Sequence, residues 1–109
     1  MNVERNYGGM KLDIQTTEVK TNDYLEQKIH NLIKKLQIFR PDISWMDIYL
    51  KSNDDAARPR TVVVRLGIPG GDFHATDTGE RWKMILKNVE KRLIRQIEKK
   101  RTLLLKMAS

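Results

Sequence analysis

Basic residues recur along the last third of the chain at a spacing that suits the binding of phosphate groups. Five of them follow one another every four residues: Lys83, Lys87, Lys91, Arg95 and Lys99. Because a helix turns once in about 3.6 residues, this spacing predicts one basic ridge that drifts slowly around a helix. An arginine grips a phosphate with two hydrogen bonds, and a lysine acts as a point charge. The ridge therefore indicates a polyanionic partner, either nucleic acid or an acidic membrane surface.

The net charge of the chain is placed unevenly. Residues 1–78 contain 11 Lys/Arg and 11 Asp/Glu, whereas residues 79–109 contain 10 Lys/Arg and 3 Asp/Glu, so the whole formal charge of +7 lies in the last segment. A helix face that is basic only for solubility is the alternative interpretation. No apolar run is long enough to cross a bilayer, and residues 1–10 lack the apolar stretch of a secretory signal. We therefore expect a cytoplasmic protein that does not enter membranes.

Other kinds of chemistry have little support in the sequence. The chain has no cysteine, which excludes disulfides, thiolate ligands and a cysteine nucleophile. Neither His30 nor His74 has a second ligand at metal spacing. The segment 67–71 lacks the Lys-Ser/Thr pair of a phosphate loop and is better explained as a turn. Asp54 and Asp55 lie in a polar loop where nothing would tune their acidity. We expect no enzyme activity, cofactor, metal or small-molecule substrate.

The elements that must position the ridge follow from hydrophobic periodicity. Alternation of apolar and polar residues predicts strands at 10–15, 46–51, 61–68 and 73–76. Helical spacing predicts one helix at 23–38, with Asn22 as its N-cap. A second helix is expected to about residue 106, capped by Asp77 or Thr78; if Asp77 is the cap, Glu80 is placed to complete a capping box.

This order, β-α-β-β-β-α, predicts an α+β sandwich. We expect a four-stranded sheet with both helices on one face, as in double-stranded-RNA-binding domains. The crossover helix should make the first two strands parallel, and the remaining strands should run as an antiparallel meander. Residues 1–9 are expected to be a flexible N-terminal extension, and residues 10–109 a single domain.

Four segments, in order, carry a resemblance to a known family. Residues 10–14 and 34–36 match its first strand and the end of its first helix loosely, and two later segments match more clearly. Residues 73–80, Phe-His-Ala-Thr-Asp-Thr-Gly-Glu, and residues 92–99, Arg-Leu-Ile-Arg-Gln-Ile-Glu-Lys, are similar to a strand-to-helix junction and a helix motif of the ribosome hibernation promoting factors. That family is also called ribosome-associated inhibitor or sigma-54 modulation proteins. The resemblance covers residues 10–101. The chain departs from the family at residues 81–85, where an acidic residue, an apolar residue and a tyrosine are usual.

The resemblance implies the short form of the family, without a second dimerising domain, and a monomer when unbound. It implies a translation inhibitor, or hibernation factor, that binds the small ribosomal subunit at the decoding region and blocks mRNA and tRNA by occupancy. The partners would be the small subunit and its ribosomal RNA, recognised by shape and backbone rather than by base sequence.

The candidate contacts to RNA are eight basic residues on the two helices. They are Lys28, Lys35, Lys83, Lys87, Lys91, Arg92, Arg95 and Lys99. Two alternative functions stay open. A general RNA-binding module would use the same basic helix and would bind unattached duplexes equally well. A protein-interaction or dimerisation module is indicated by the long last helix and by the apolar run Leu103–Leu105.

Overall fold

In the computed structural model, which describes residues 2–54 and 57–108, the chain forms five strands and two helices. The strands are β1 (Asn2–Tyr7), β2 (Met10–Thr17), β3 (Trp45–Ser52), β4 (Arg60–Ile68) and β5 (Gly71–Gly79). The helices are α1 (Asp23–Phe39) and α2 (Trp82–Ala108). The α+β class is therefore confirmed. Neither helix contains a stretch that is both long and apolar enough to cross a membrane.

The five strands form one sheet in the order β1-β2-β3-β4-β5. Strands β2 and β3 are parallel, as expected for strands joined by the crossover helix α1, and the other neighbours are antiparallel. The expected count of four strands is wrong, because the sheet has five. The predicted likeness to a double-stranded-RNA-binding domain is not supported either. The additional strand is β1, which lies in the segment expected to be a flexible extension.

Strand β1 pairs with β2 because the chain reverses direction directly after β1. Gly8 and Gly9 both have positive φ angles, of 57° and 85°, and fold β1 back onto β2. Val3 then lies opposite Ile14, and Tyr7 opposite Met10, so the few apolar side chains of β1 share the buried face of the sheet. The other residues of β1 are exposed and polar, which is why its sequence gives no strong strand signal.

One apolar layer joins the sheet to both helices. Alternate residues of β2, β3, β4 and β5 are buried, and so are five residues of α1: Leu25, Ile29, Leu32, Ile33 and Leu36. The stripe of α2 joins the same cluster through Ile85, Leu86, Val89, Leu93 and Ile97. Both helices consequently cover one face of the sheet, as predicted, while the opposite face stays open.

The ends of the helices agree only partly with the prediction. Asn22 caps α1 as expected, because its side-chain oxygen accepts a hydrogen bond of 2.8 Å from the backbone N–H of Leu25. The capping box predicted for α2 is wrong. Asp77 and Thr78 belong to β5, where they pair with β4, and α2 begins only at Trp82. Pairing with the long strand β4 thus overrides the local capping preference.

Candidate nucleic-acid interface

A shallow groove between α1 and α2 brings four of the predicted RNA contacts together. Lysines from both helices line it: Lys28, Lys35, Lys83 and Lys87. Its volume is about 130 Å³. Each lysine stands beside the apolar stripe of its own helix, so packing of the two stripes against the sheet turns these flanks towards each other. We call this surface the lysine groove.

A single carboxylate lies within the lysine groove. The side chain of Glu90 is only 12% exposed, and its Oε1 atom lies 3.9 Å from Nζ of Lys35, whose side chain is 67% exposed. Within residues 2–54 and 57–108, that oxygen accepts no hydrogen bond. Glu90 offsets part of the positive charge of the lysines, but three positive charges remain in excess. The groove keeps a positive potential towards an approaching phosphate.

A second set of basic side chains forms an outward ridge on α2. Lys91, Arg95 and Lys99 are exposed and recur every four residues. Among the described residues, no ion pair to these three side chains is found within 4.0 Å. We call them the outer ridge. It adjoins the lysine groove on the helix side of the molecule, so seven of the eight predicted contacts lie on one continuous side.

The eighth predicted contact, Arg92, has a structural role that the sequence did not reveal. Its guanidinium donates a hydrogen bond to the backbone oxygen of Thr76, and its Nη1 atom lies 3.3 Å from Oδ1 of Asp77. About half of the side chain is exposed. Arg92 thus points along the flank of α2 towards β5. A contact of Arg92 with RNA stays a prediction. In the described structure its guanidinium bonds to Thr76 and Asp77 of β5.

Arg92 belongs to a series of donors that cover the edge of the sheet at β5. Asn88 donates to a carboxylate oxygen of Asp77 at 2.9 Å, and Gln96 donates to the backbone oxygen of His74 at 2.8 Å. Lys100 donates to the backbone oxygen of Gly70. The four donors recur every four residues on one flank of α2. Two of them, Arg92 and Gln96, bond backbone oxygens of β5 that an edge strand would otherwise offer to another chain.

The open face of the sheet has a different electrostatic character. Strand pairing aligns one row of side chains across all five strands: Glu4, Asp13, Asp47, Arg65 and His74. Partial burial of its carboxyl raises the pKa of Asp47, and the neighbouring charge of Asp13 raises it further. Three adjoining carboxylates would repel phosphate. Lys11, Lys51 and Arg65 offset these carboxylates on the same face, so the open face should attract nucleic acid less strongly than the helix side.

The two histidines of the chain lie on different elements, His30 on α1 and His74 on β5. Within residues 2–54 and 57–108, no group of three His, Asp or Glu side chains is placed to hold a metal ion. The ring of His30 is held by the hydroxyl of Tyr7, 2.6 Å from Nδ1. His74 is exposed on β5. The carboxylate pair considered from the sequence cannot be assessed, since Asp55 lies outside the described residues.

Comparison with known proteins identifies the fold. No family model matches the sequence, and no curated protein sequence matches it. Among solved structures, a ribosomal subunit interface protein from Coxiella burnetii superimposes with a TM-score of 0.72 at 16% identity. The N-terminal domain of Protein Y from Thermus thermophilus superimposes with a TM-score of 0.66 at 11% identity. The chain has the fold of these two proteins.

That likeness agrees, at the level of the fold, with the resemblance seen in the sequence. Each comparison covers 97% of the solved chain and 84% of this chain. The ribosomal interface fold thus accounts for most of the present chain and leaves about a sixth of it outside the common part.

Proposed function

We propose that this protein is a ribosome-associated inhibitor that binds the small ribosomal subunit through the helix side of its sheet. The observation that carries the proposal is the junction of the lysine groove with the outer ridge. It places seven basic side chains on one side of a fold shared with a ribosomal subunit interface protein. Phosphate neutralisation by such a set supplies most of the affinity of a protein for a folded RNA.

A protein with this surface would inhibit translation by occupying the place where mRNA and tRNA bind. A structured RNA presents phosphates at fixed positions, and a rigid basic surface recognises that arrangement by shape and backbone contacts. Bound at the decoding region of the small subunit, the protein would exclude mRNA and tRNA without breaking or forming a covalent bond. This function requires no cofactor, places the protein in the cytoplasm with the ribosomes, and makes it a non-enzymatic hibernation factor.

Sedimentation through sucrose gradients tests the proposal. Protein mixed with separated small and large subunits should migrate with the small subunit, and excess mRNA and tRNA should displace it. An unattached RNA duplex of matched length should compete at least tenfold less well, which separates ribosome recognition from general RNA binding. Migration with neither subunit, or equal competition by the duplex, would contradict the proposal.

A further inference from the structure

The end of α2 exposes a cluster of large apolar side chains. Leu103, Leu104, Leu105 and Met107 are 52%, 57%, 62% and 83% exposed, respectively. We call them the terminal patch. Surface apolar residues are ordinary when they are scattered, but four within five positions form a contiguous patch of the kind that marks an interaction surface.

The terminal patch extends the core-facing stripe of α2 beyond the sheet. Lys100 contacts Gly70 in the turn between β4 and β5, so α2 passes the end of the sheet at that point. The residues from 101 onwards extend about two further turns, roughly 12 Å. Leu104 follows Ile97 by seven residues and thus lies on the same side of the helix. The stripe that packs on the sheet up to Ile97 has no sheet beneath it here.

A groove of about 230 Å³ adjoins this extension. Its apolar surface includes Ile68, Phe73, Leu104 and Leu105. Its basic side chains are Arg40, Lys100 and Arg101. Arg40 is paired with Asp42, at 2.6 Å, and Lys100 lies 5.5 Å from the ring centroid of Phe73, whereas Arg101 is exposed. A groove with an apolar floor and a basic rim is complementary to a ligand that is apolar on one side and acidic on the other.

Charge and shape select among the ligands that have this character. From Lys99 to the end of the chain the sequence contains four basic residues and no acidic one, so pairing of two copies would bring two positive clusters together. RNA would gain nothing from the leucines. A membrane surface is flat, whereas the groove is concave. A protein helix with one apolar and one acidic face satisfies both the leucines and the rim.

We propose that the terminal patch and its groove form a docking site for an acidic amphipathic helix of a protein partner. The helix would lay its apolar face along the groove beside Leu104 and Leu105. Acidic residues at its margin would meet Arg101. This site lies beyond the lysine groove and next to Lys99, the last residue of the outer ridge, but Leu104 and Leu105 belong to neither ribosome-binding set.

Binding of a synthetic probe tests the proposal. The probe is a fluorescein-labelled peptide of about 18 residues, built from Leu, Glu and Ala with leucines at helical spacing. Two controls are a peptide of the same composition with scrambled order and a peptide with Lys in place of Glu. Fluorescence anisotropy with the full chain at physiological salt should show at least tenfold tighter binding of the amphipathic acidic probe than of either control. Equal binding of the scrambled peptide, or tighter binding of the lysine peptide, would overturn the proposal.

Variants locate the site. The double change Leu104→Gln and Leu105→Gln should weaken probe binding at least tenfold, since the lost apolar contacts are central to the groove. The change Tyr24→Gln with Met84→Gln removes two other exposed apolar residues from the opposite ends of the helices, and should leave probe binding unchanged. All four positions are more than half exposed, and glutamine is a good helix former, so the fold should persist in circular dichroism.

Ribosome co-sedimentation of the Leu104→Gln, Leu105→Gln variant should equal that of the wild type, so failure of this proposal and failure of the ribosome proposal are distinguishable. Two results would replace the protein partner by another ligand. One is retention of the wild type, but not of this variant, on anionic phospholipid vesicles. The other is a dimer in sedimentation velocity that the two changes dissolve. Either result, like equal probe binding by both double variants, would contradict the proposal.

Discussion

The two sides of this small sheet differ in charge: the helix side is strongly basic, and the open side carries both acidic and basic residues. On the helix side, the lysine groove and the outer ridge place seven basic residues near one partly buried carboxylate, Glu90. On the open side, each strand sets charged residues directly opposite those of its neighbours, and the central row runs from three carboxylates to Arg65 and His74. The attraction to a polyanion therefore belongs to the helices.

This difference has a physical origin. Outward residues of a helix have solvent or a partner as neighbours, so like charges spaced four residues apart cost little, about 0.2 to 0.5 kcal/mol per pair. Residues on neighbouring strands stand directly opposite one another, where like charges are destabilising and opposite charges stabilise. A sheet face thus tends towards mixed charge, although Glu4, Asp13 and Asp47 stand directly opposite one another here. The helix side tolerates a strongly basic surface at lower cost.

The largest expected effect is the loss of ribosome binding when the helix side loses charge. The triple change Lys83→Gln, Lys87→Gln and Lys91→Gln should weaken binding to small subunits by about a thousandfold or more. Each charge-assisted contact to phosphate contributes about 1.5 to 3 kcal/mol, and three such losses sum to at least that factor if they are additive. Binding is measured by co-sedimentation at fixed salt, with folding checked by thermal melting.

The matched control removes the same charge from the open side. The change Lys11→Gln, Lys51→Gln and Arg65→Gln also lowers the net charge by three, at positions that are all exposed. It should weaken ribosome binding by less than about tenfold. If both triple variants lose binding equally, the difference between the two sides has no bearing on docking, and only a diffuse attraction remains.

Salt dependence is the next largest effect. Four to six phosphate contacts imply a slope of about −3 to −5 for the logarithm of the binding constant against the logarithm of salt concentration. The helix-side triple variant should have a slope that is shallower by about 2 to 3, whereas the open-side variant should keep the wild-type slope. A titration that gave the wild type a slope near zero would contradict phosphate neutralisation as the source of affinity.

Arg92 sharpens the comparison within α2 itself. Arg92→Ala removes the hydrogen bond to Thr76 and the ion pair with Asp77, so it should lower the free energy of unfolding by about 1 to 2 kcal/mol. Arg95→Ala, on the outer ridge, should change it by less than about 0.5 kcal/mol. Urea denaturation measures both. Equal stability of the two variants would show that the contact of Arg92 with β5 contributes nothing to the folded state.

The smallest effect concerns Asp47 and its dependence on pH. Because burial and the charge of Asp13 raise the pKa of Asp47 in the folded state, ionisation of Asp47 disfavours folding as pH rises through that pKa. Asp47→Asn should therefore stabilise the protein at neutral pH, by less than about 0.5 kcal/mol given the solvent exposure of the site. The gain should vanish at acidic pH, where wild-type Asp47 is protonated. Destabilisation at neutral pH would mean that attraction to Arg65 outweighs the repulsion.

Periodicity was sufficient for the central part of the fold. The alternation in β2, β3 and β4 and the stripes of both helices each bury one face, and such patterns are visible in the sequence alone. Periodicity did not predict strand β1 or the start of α2. Strand β1 is polar and depends on the Gly8–Gly9 reversal for its pairing. Asp77 and Thr78 suit a helix cap as well as a strand, and only their partners on β4 decide between the two.

The candidate site was predicted as a set of residues but not as a surface. Four-residue spacing identified the ridge on α2, because it depends on one helix. Lys28 and Lys35 were included, but their position opposite Lys83 and Lys87 results from the packing of two helices, which no local pattern contains. The contacts of Arg92 with β5 likewise depend on where β5 lies relative to α2.

Lysine footprinting tests the central claim most directly, because every lysine of the protein serves in one experiment. The protein is acetylated with and without saturating small subunits, and the reactivity of each lysine is read by mass spectrometry. Helix-side docking predicts strong protection of Lys35, Lys83, Lys87 and Lys91, while Lys11 and Lys51 on the open side keep their full reactivity. Protection of Lys11 and Lys51 with continued reactivity of the lysine groove would show that the protein docks through the opposite face and would contradict the account.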